Sequence, residues 1–357
     1  MRRALLLILT AVSIRLLLFG GSLTGAAEKL TPAPEGTFSV VVIPDTQAYA
    51  GAGTKGDSDS TAPVTNRIFA AHTQWIANNL QRQRIAFVSH VGDIVDINVE
   101  SQWEVARRCM DTIHGQVPYG ISVGNHDMTS RGDSTLFQQY FPRSRFESFA
   151  WYGESYGGSP AGKHISGDNA NSFQLFSAEG LDFVFLHLEC NAPDDVLEWA
   201  NGILAQHAGR LALITSHMGW GPRARPVRNE EYISAPKGRM TWHKVHGERG
   251  NSPQQIWEKC YQHHPHLVAV FSGDQSRTQA YRAASPGRHG NVVHEFMQDY
   301  GSGWLRMYRF HPRPDRVHVE AITFHPVTEE LCEGVKLVPA REEHQFTFEF
   351  PLHQRIR

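Results

Sequence analysis

Short apolar, β-branched runs recur along this chain with helical periodicity between them, and that alternation limits the possible folds more than any other feature. "FSVVVI" (38–43), "IAFVSHV" (85–91), "YGISV" (119–123), "LDFVFLHL" (181–188), "LALITS" (211–216) and "LVAVFS" (267–272) have the length and composition of buried strands. Between them, Ile68, Trp75, Ile76 and Leu80 share a helical face, as do Trp103, Ala106, Met110 and Ile113, and then Val196, Trp199 and Ile203. "SPQQ" (252–255) starts a fourth helix, with Ser252 as N-cap, Pro253 at the first helical position and Gln255 completing a capping box. Strands alternating with helices predict an α/β layered domain. From "GWLRMYRF" (303–310) onward the pattern is strand without helix, so a β-rich segment closes the fold.

Nearly every predicted strand ends in a polar cluster able to bind a metal or move a proton. "PDTQ" (44–47) follows Ile43, "GDIVD" (92–96) follows Val91, "GNHD" (124–127) follows Val123, "SH" (216–217) follows Thr215, and "SGDQS" (272–276) follows Phe271. In an open α/β sheet ligands bind beyond the carboxyl ends of the strands, where these clusters meet if the strands are parallel neighbours. Glycine before Asp93, Asn125 and Asp274 permits an unusual turn and a close backbone approach.

The order and spacing from about residue 38 to about residue 277 resemble the calcineurin-like metallophosphoesterases, and GDxxD followed by GNHD is the specific part. The resemblance is to a branch with PDTQ as its first motif. It implies a layered α-β-β-α sandwich of two mixed sheets flanked by helices, and two divalent metal ions (Mn, Fe, Mg, Ca or Zn). It further implies that Asp93 bridges the ions, that Asp45 and Gln47 complete the first site, and that Asn125 and His217 complete the second. His126 would protonate the leaving group, with the Asp96 carboxylate fixing its tautomer. The last motif departs from the family: Asp274 and Ser276 stand where two histidines are expected. Asp274 can replace imidazole at the second metal, whereas Ser276 is a poor ligand. The first site becomes all-oxygen, which weakens the case for zinc.

The activity implied is an exported phosphoesterase acting on a small phosphorylated substrate. The alternative is a degenerate scaffold that binds a phosphorylated ligand or a protein with little or no catalysis. A Ser-His-Asp hydrolase is disfavoured: the sequence's GxSxG match, GESYG (153–157), runs into a Gly-rich stretch rather than the helical pattern a nucleophile elbow needs. The loop 219–251 carries Arg223, Arg225 and Arg228, which could pair with phosphate oxygens, and Trp220, Tyr232 and Trp242, which could stack on a base or sugar. Substrate identity stays open.

Composition bounds the partners. With 34 basic against 36 acidic residues the net charge is −2, and no specific nucleic-acid partner is expected. The 20 histidines set a background against which any positioned one must be judged. Residues 1–27 read as a signal peptide, with Arg2 and Arg3 before an apolar stretch and small residues near Ala27, giving a secreted or periplasmic location or, alternatively, an N-terminal membrane anchor. Arg15 interrupts the apolar run, so no stable membrane span is expected. A catalytic domain over 37–330 and a C-terminal β-rich extension over 331–357, packed on the same domain, are expected in a monomer. Cys109, Cys190, Cys260 and Cys332 allow three disulfide pairings, and the positions of Cys109 and Cys260 on apolar helix faces favour buried thiols.

Overall fold

Alternation along β1 (Phe38–Ile43) shows how the layers arise: Phe38, Val40 and Val42 enter one apolar cluster while Val41 and Ile43 enter another. A strand buried on both faces needs a layer on each side. In this computed structural model, which describes residues 27–162, 164–220, 243–275 and 279–352 and leaves the side chains of Ser130, His243 and Lys244 aside, those layers are a second sheet and a set of helices.

The first sheet has the order β13-β12-β11-β1-β2-β3. β1, β2 (Ile85–His90) and β3 (Tyr119–Ile121) run parallel, while β11 (Leu305–Pro312), β12 (Arg316–Phe324) and β13 (Gln345–Pro351) add antiparallel. The second sheet has the order β4-β5-β6-β7-β8-β10-β9. Here β6 (Leu181–Leu188), β7 (Leu211–Ser216), β8 (Leu267–Ser272) and β10 (Val292–Gln298) run parallel. β4 (Tyr152–Ser155), β5 (Ser172–Ala178) and β9 (Ala280–Pro286) are its antiparallel members. Phe87, Phe183, Phe185, Phe271, Phe296 and Tyr308 fill the space between the sheets.

Helices cover both outer faces. α1 (Arg67–Asn79) and α2 (Glu100–Asp111) lay Phe69, Trp75, Ile76, Trp103 and Met110 on the first sheet. A short α3 (Thr135–Tyr140) packs Phe137 against Trp103. α4 (Asp194–Gln206) and α5 (Pro253–Lys259) bring Val196, Leu197, Ala200, Ile256 and Trp257 to the second sheet. The protein is thus an α/β sandwich of two mixed sheets flanked by helices.

The Ser252 capping box forms as the sequence predicts, with the Gln255 N–H donating to the Ser252 hydroxyl and the Ser252 N–H donating to the Gln255 side chain. All six predicted strands are present, although β3 stops two residues early, at Ile121. β5 and β10 have no counterpart in the apolar-run reading, because polar residues interrupt both. Residues beyond 331 contribute β13, which pairs along β12. The four cysteines are free and buried, which removes the disulfide alternatives. No described helix is long and apolar enough to cross a membrane, and residues 1–26, most of the expected signal segment, lie outside the described residues.

Candidate metal centre

The parallel strands of both sheets point their carboxyl ends to one edge of the sandwich, where polar bonds join the sheets. Ser89 of β2 meets Thr215 of β7 through their hydroxyls at 2.7 Å and the His187 ring at 3.0 Å. The Cys190 N–H donates to the Val123 carbonyl at 2.8 Å, and Gln298 Nε2 donates to the Val42 carbonyl at 2.7 Å. Loops from distant parts of the chain therefore emerge together.

His217, directly after β7, lies at their centre and is fully buried. Its Nδ1 donates to the Val91 carbonyl across the sheets at 3.0 Å, which leaves Nε2 as the free end of the ring. That nitrogen has no hydrogen-bond partner and faces Asp93 Oδ1 at 3.1 Å, Asp274 Oδ1 at 3.6 Å and Asp45 Oδ2 at 4.0 Å. An imidazole lone pair facing carboxylates is repulsive unless a proton or a metal cation lies between them. Asp45, Asp93 and His217 each offer a ligand atom within 4.8 Å of the others, so this buried group could hold a metal ion. The Asn125 side-chain oxygen is also buried without a partner.

Main-chain bonds fix the acids. Asp93 Oδ1 accepts from the His126 N–H at 2.9 Å, and Asp45 Oδ2 accepts from the Asp274 N–H at 3.1 Å. Asp93 and Asp274 both have left-handed backbones, with φ of 49° and 68°. Such strain costs about 1 kcal/mol or more per residue and persists only where the surroundings enforce it. Two glycines, one before Asn125 and one before Asp274, let the turns approach these acids closely. A Cβ on Gly124 would lie 2.2 Å from Asp93 Oδ1, and one on Gly273 would lie 2.1 Å from Asp45 Oδ1.

Charge crowding is evident in the titration of these groups. Burial, then the neighbouring Asp299, pushes the Asp45 carboxyl well above the usual range. Burial also raises Asp274. For Asp93 burial acts in the same upward direction, but His217 and His126 outweigh it and hold the carboxylate below its ordinary value. His217 is the counterpart: burial lowers it, yet the Asp93 and Asp45 carboxylates together carry it well above an ordinary histidine.

Several expected contacts take a different form. His126 Nδ1 donates to the main-chain carbonyl of Asp96 at 2.7 Å, while the Asp96 carboxylate lies 3.9 Å away and pairs with Lys55. The main chain, not the carboxylate, therefore fixes the tautomer. Gln47, expected as an oxygen ligand, presents its amide nitrogen to Asp93 Oδ2 at 2.8 Å. A half-turn of the amide would present its oxygen instead, an arrangement that needs a cation between it and the carboxylate. Trp220, expected as a stacking surface, is buried edge-on to Tyr281. Arg223, Arg225, Arg228, Tyr232, Trp242 and Ser276 lie outside the described residues.

Two buried acids escape the sequence reading. Asp127 accepts from the Ile94 N–H at 2.8 Å and the Val95 N–H at 3.1 Å through Oδ1, and from the Gly124 N–H at 2.8 Å through Oδ2. It clamps the GDIVD turn to the GNHD turn. Asp299 follows β10 and is 3% exposed beside Asp45. The signal for Asp299 is the one that identifies the others, an acid directly after a strand, but His294 and Glu295 break the apolar run of β10, so the sequence does not read as a strand there.

No protein-family model matches the chain. It is 28% identical over 316 residues to YvnB, an uncharacterised protein of Bacillus subtilis (strain 168); the match covers 85% of this chain and 21% of YvnB. The chain thus spans about a fifth of the length of that relative. Among solved structures it overlaps the NAD nucleotidase of Haemophilus influenzae at a TM-score of 0.41 and 13% identity, over 81% of this chain and 48% of that one. The overlap with a 5'-nucleotidase precursor from Thermus thermophilus has a TM-score of 0.40 and 12% identity, over 89% and 55%. With GAP50, the anchor in the inner membrane complex of Plasmodium, the values are 0.42 and 10%, over 83% and 86%. Likenesses this loose carry no argument about activity.

Proposed function

We propose that the protein is a metal-dependent phosphoesterase of the calcineurin-like kind, cleaving a phosphate ester of a small molecule. The observation that carries the reading is His217 Nε2, fully buried, without a well-directed hydrogen bond and facing the Asp45, Asp93 and Asp274 carboxylates at 3.1 to 4.0 Å. The ligand sets would be Asp45, Gln47 and Asp93 for one cation and Asp93, Asn125, His217 and Asp274 for the other. Bound divalent cations would supply positive charge for the phosphoryl oxygens and acidify water.

The chain's own part is positioning and proton transfer. Asp93 is held by the His126 N–H on Oδ1, which also faces His217 Nε2, while Oδ2 lies beside the Gln47 amide. His126 has Nδ1 committed to the Asp96 carbonyl, and its ring is 30% exposed, so Nε2 is the atom that would carry a proton to a leaving alkoxide. Export through the N-terminal segment is part of the same proposal and rests on its basic and apolar pattern.

The scaffold alternative draws support from Gln47, whose amide nitrogen sits on the proposed bridging carboxylate, and from the absence of both last-motif histidines. One experiment separates the two. Metal-free protein is assayed on a panel of phosphomonoesters and phosphodiesters with Mn²⁺, Mg²⁺ or Zn²⁺, beside Asp93→Ala. Turnover restored by a divalent ion in wild type alone supports the enzyme, and no turnover with any ion supports the scaffold.

A further inference from the structure

A second group of buried polar side chains, apart from the one around His217, lacks partners. Glu189, which directly follows β6, and His246, at the end of the helical turn His243–His246, both have side chains sealed from solvent. Neither carboxylate oxygen of Glu189 and neither ring nitrogen of His246 makes a well-directed hydrogen bond, and His246 Nε2 lies 3.9 Å from Glu189 Oε2. Ser166 Oγ and Asn191 Oδ1 are buried without a partner as well. Asparagine bridges and close packing hold these residues together. The Glu189 N–H donates to Asn171 Oδ1 at 2.9 Å, and Asn171 Nδ2 donates to the Ser166 carbonyl at 3.2 Å. Asn191 Nδ2 donates to the Asn251 carbonyl at 3.0 Å, and a Cβ on Gly250 would lie 3.2 Å from His246 Cβ and 3.6 Å from Asn191 Cβ.

A sealed carboxylate without a donor is costly, so it needs a proton or a positive charge beside it. Among the described residues no arginine or lysine takes that place: Arg249, whose charge acts on Glu189, directs Nη2 to Ser159 Oγ at 2.6 Å and to Asp195 at 3.4 Å. A separation of 3.9 Å is too long for a direct hydrogen bond. It is within a small side-chain adjustment of the roughly 3.3 Å between two ligands of a tetrahedral ion bound at about 2.0–2.1 Å. A Cβ on Gly132 would lie 2.2 Å from His246 Nδ1, so that edge of the imidazole packs on main chain and Nε2 is the edge turned to the carboxylate. Burial lowers His246 to about 4, which keeps the ring neutral with a lone pair to offer, and burial raises Glu189 to about 7.

We propose that Glu189 and His246, with Ser166 Oγ and Asn191 Oδ1 beside them, form a further cation site that takes one borderline divalent ion such as Zn²⁺. An imidazole paired with a carboxylate suits Zn²⁺ better than Ca²⁺ or Mg²⁺, which prefer oxygen alone. The ion would fasten the segment 243–251 to the end of β6, a structural part separate from the phosphoester chemistry proposed above. None of the four residues belongs to the ligand sets around His217, so either site can exist without the other.

Asp93→Ala removes the acid shared by the two proposed ions of the His217 centre and so isolates the new site. Metal-free Asp93→Ala is titrated with Zn²⁺ against a chromophoric chelator, beside Asp93→Ala/Glu189→Gln and Asp93→Ala/His246→Gln. The parent should take up a tight equivalent, and each double variant should bind it at least tenfold more weakly. The rise in melting temperature that Zn²⁺ gives Asp93→Ala should shrink in both. Glu189→Gln keeps the shape and neutralises a buried acid, so its metal-free melting temperature should not fall, which separates a lost ligand from a folding defect. Equal Zn²⁺ affinity in Asp93→Ala and Asp93→Ala/Glu189→Gln, the outcome for a cavity that holds only water or a shared proton, would overturn the inference and leave the His217 centre standing. Loss of all Zn²⁺ binding in Asp93→Ala would overturn it too, since the site does not use Asp93. Glu189→Gln and His246→Gln made singly in wild type must each remove one equivalent and leave the rest, so a folding defect in Asp93→Ala does not decide the outcome.

Discussion

Replacing Asp127 with asparagine should cost far more than its near-isosteric shape suggests. The carboxylate accepts three main-chain N–H groups, from Gly124, Ile94 and Val95, at 2.8 to 3.1 Å, in a fully buried setting. An asparagine oxygen can keep at most two of them. Its amide –NH₂ then confronts the third N–H donor to donor, and that N–H is left unsatisfied. A hydrogen bond to a charged group is worth about 1.5–3 kcal/mol and an orphaned buried donor costs about 1–3 kcal/mol; relief of the buried charge, which pushes the carboxyl up, offsets part of this, so the expected net loss is about 1–3 kcal/mol. Asp127→Ala strands all three donors and should cost about 2 kcal/mol more. Urea unfolding of metal-free protein at pH 8 measures both. That pH lies above the value of about 7 to which burial, then the Asp93 charge, pushes the Asp127 carboxyl. Because the clamp also sets the turn carrying Asp93 and Asn125, Mn²⁺ affinity should fall in parallel. An Asp127→Asn protein within about 0.5 kcal/mol of wild type, the scatter of an ordinary surface change, would refute the clamp.

Burial first, then His90, lowers His187 to about 3, so it stays neutral in the folded protein while the unfolded chain takes up its proton near pH 6.5. Wild type therefore loses stability as pH falls, and the gap to His187→Gln should narrow by about 1.4 kcal/mol between pH 7.5 and 5.5, as read from urea midpoints at each pH; a constant gap would contradict the assignment. Gly273→Ala places a methyl 2.1 Å from Asp45 Oδ1 and 2.7 Å from Val91 Cγ2, so it should weaken Mn²⁺ binding by at least tenfold, and an unchanged titration would disprove the close approach. All four cysteines are free and buried, so a reductant should leave the melting temperature unchanged and thiol labelling should reach four per chain only after unfolding.

The alternation of apolar runs made all the parallel strands except β10 legible, because strands buried on both faces read as continuous hydrophobic stretches. β10 and β5 were not legible. Their Val292–Gln298 and Ser172–Ala178 segments mix polar and apolar residues, and what identifies them as strands is the partner each finds far along the chain. The same limit hid part of the site. Acids following the recognised strands could be named from sequence, whereas Asp299 depended on an unrecognised strand. Asp96 illustrates a second limit. Its spacing before the GNHD turn predicts a contact with His126, but the choice between its carbonyl and its carboxylate depends on Lys55, more than forty positions away in sequence, taking the carboxylate.

The metal centre lies where the two sheets cease to be joined by apolar packing. Between the strands the contact is phenylalanine on phenylalanine, and at the carboxyl ends it gives way to Ser89, Thr215 and His187, then to His217 donating to the Val91 carbonyl. Each polar bond there crosses from one sheet to the other, so the orientation of the ligands depends on how the sheets are packed. Three acids in one pocket oppose that packing in the metal-free protein, since burial and neighbouring carboxylates raise Asp45, Asp274 and Asp299. A cation between them would turn repulsion into attraction across the sheet boundary, and by mass action it would stabilise the packed sandwich over any state in which the sheets separate. The acids that place a local strain on the fold are therefore the same groups through which a bound ion would hold its two halves together.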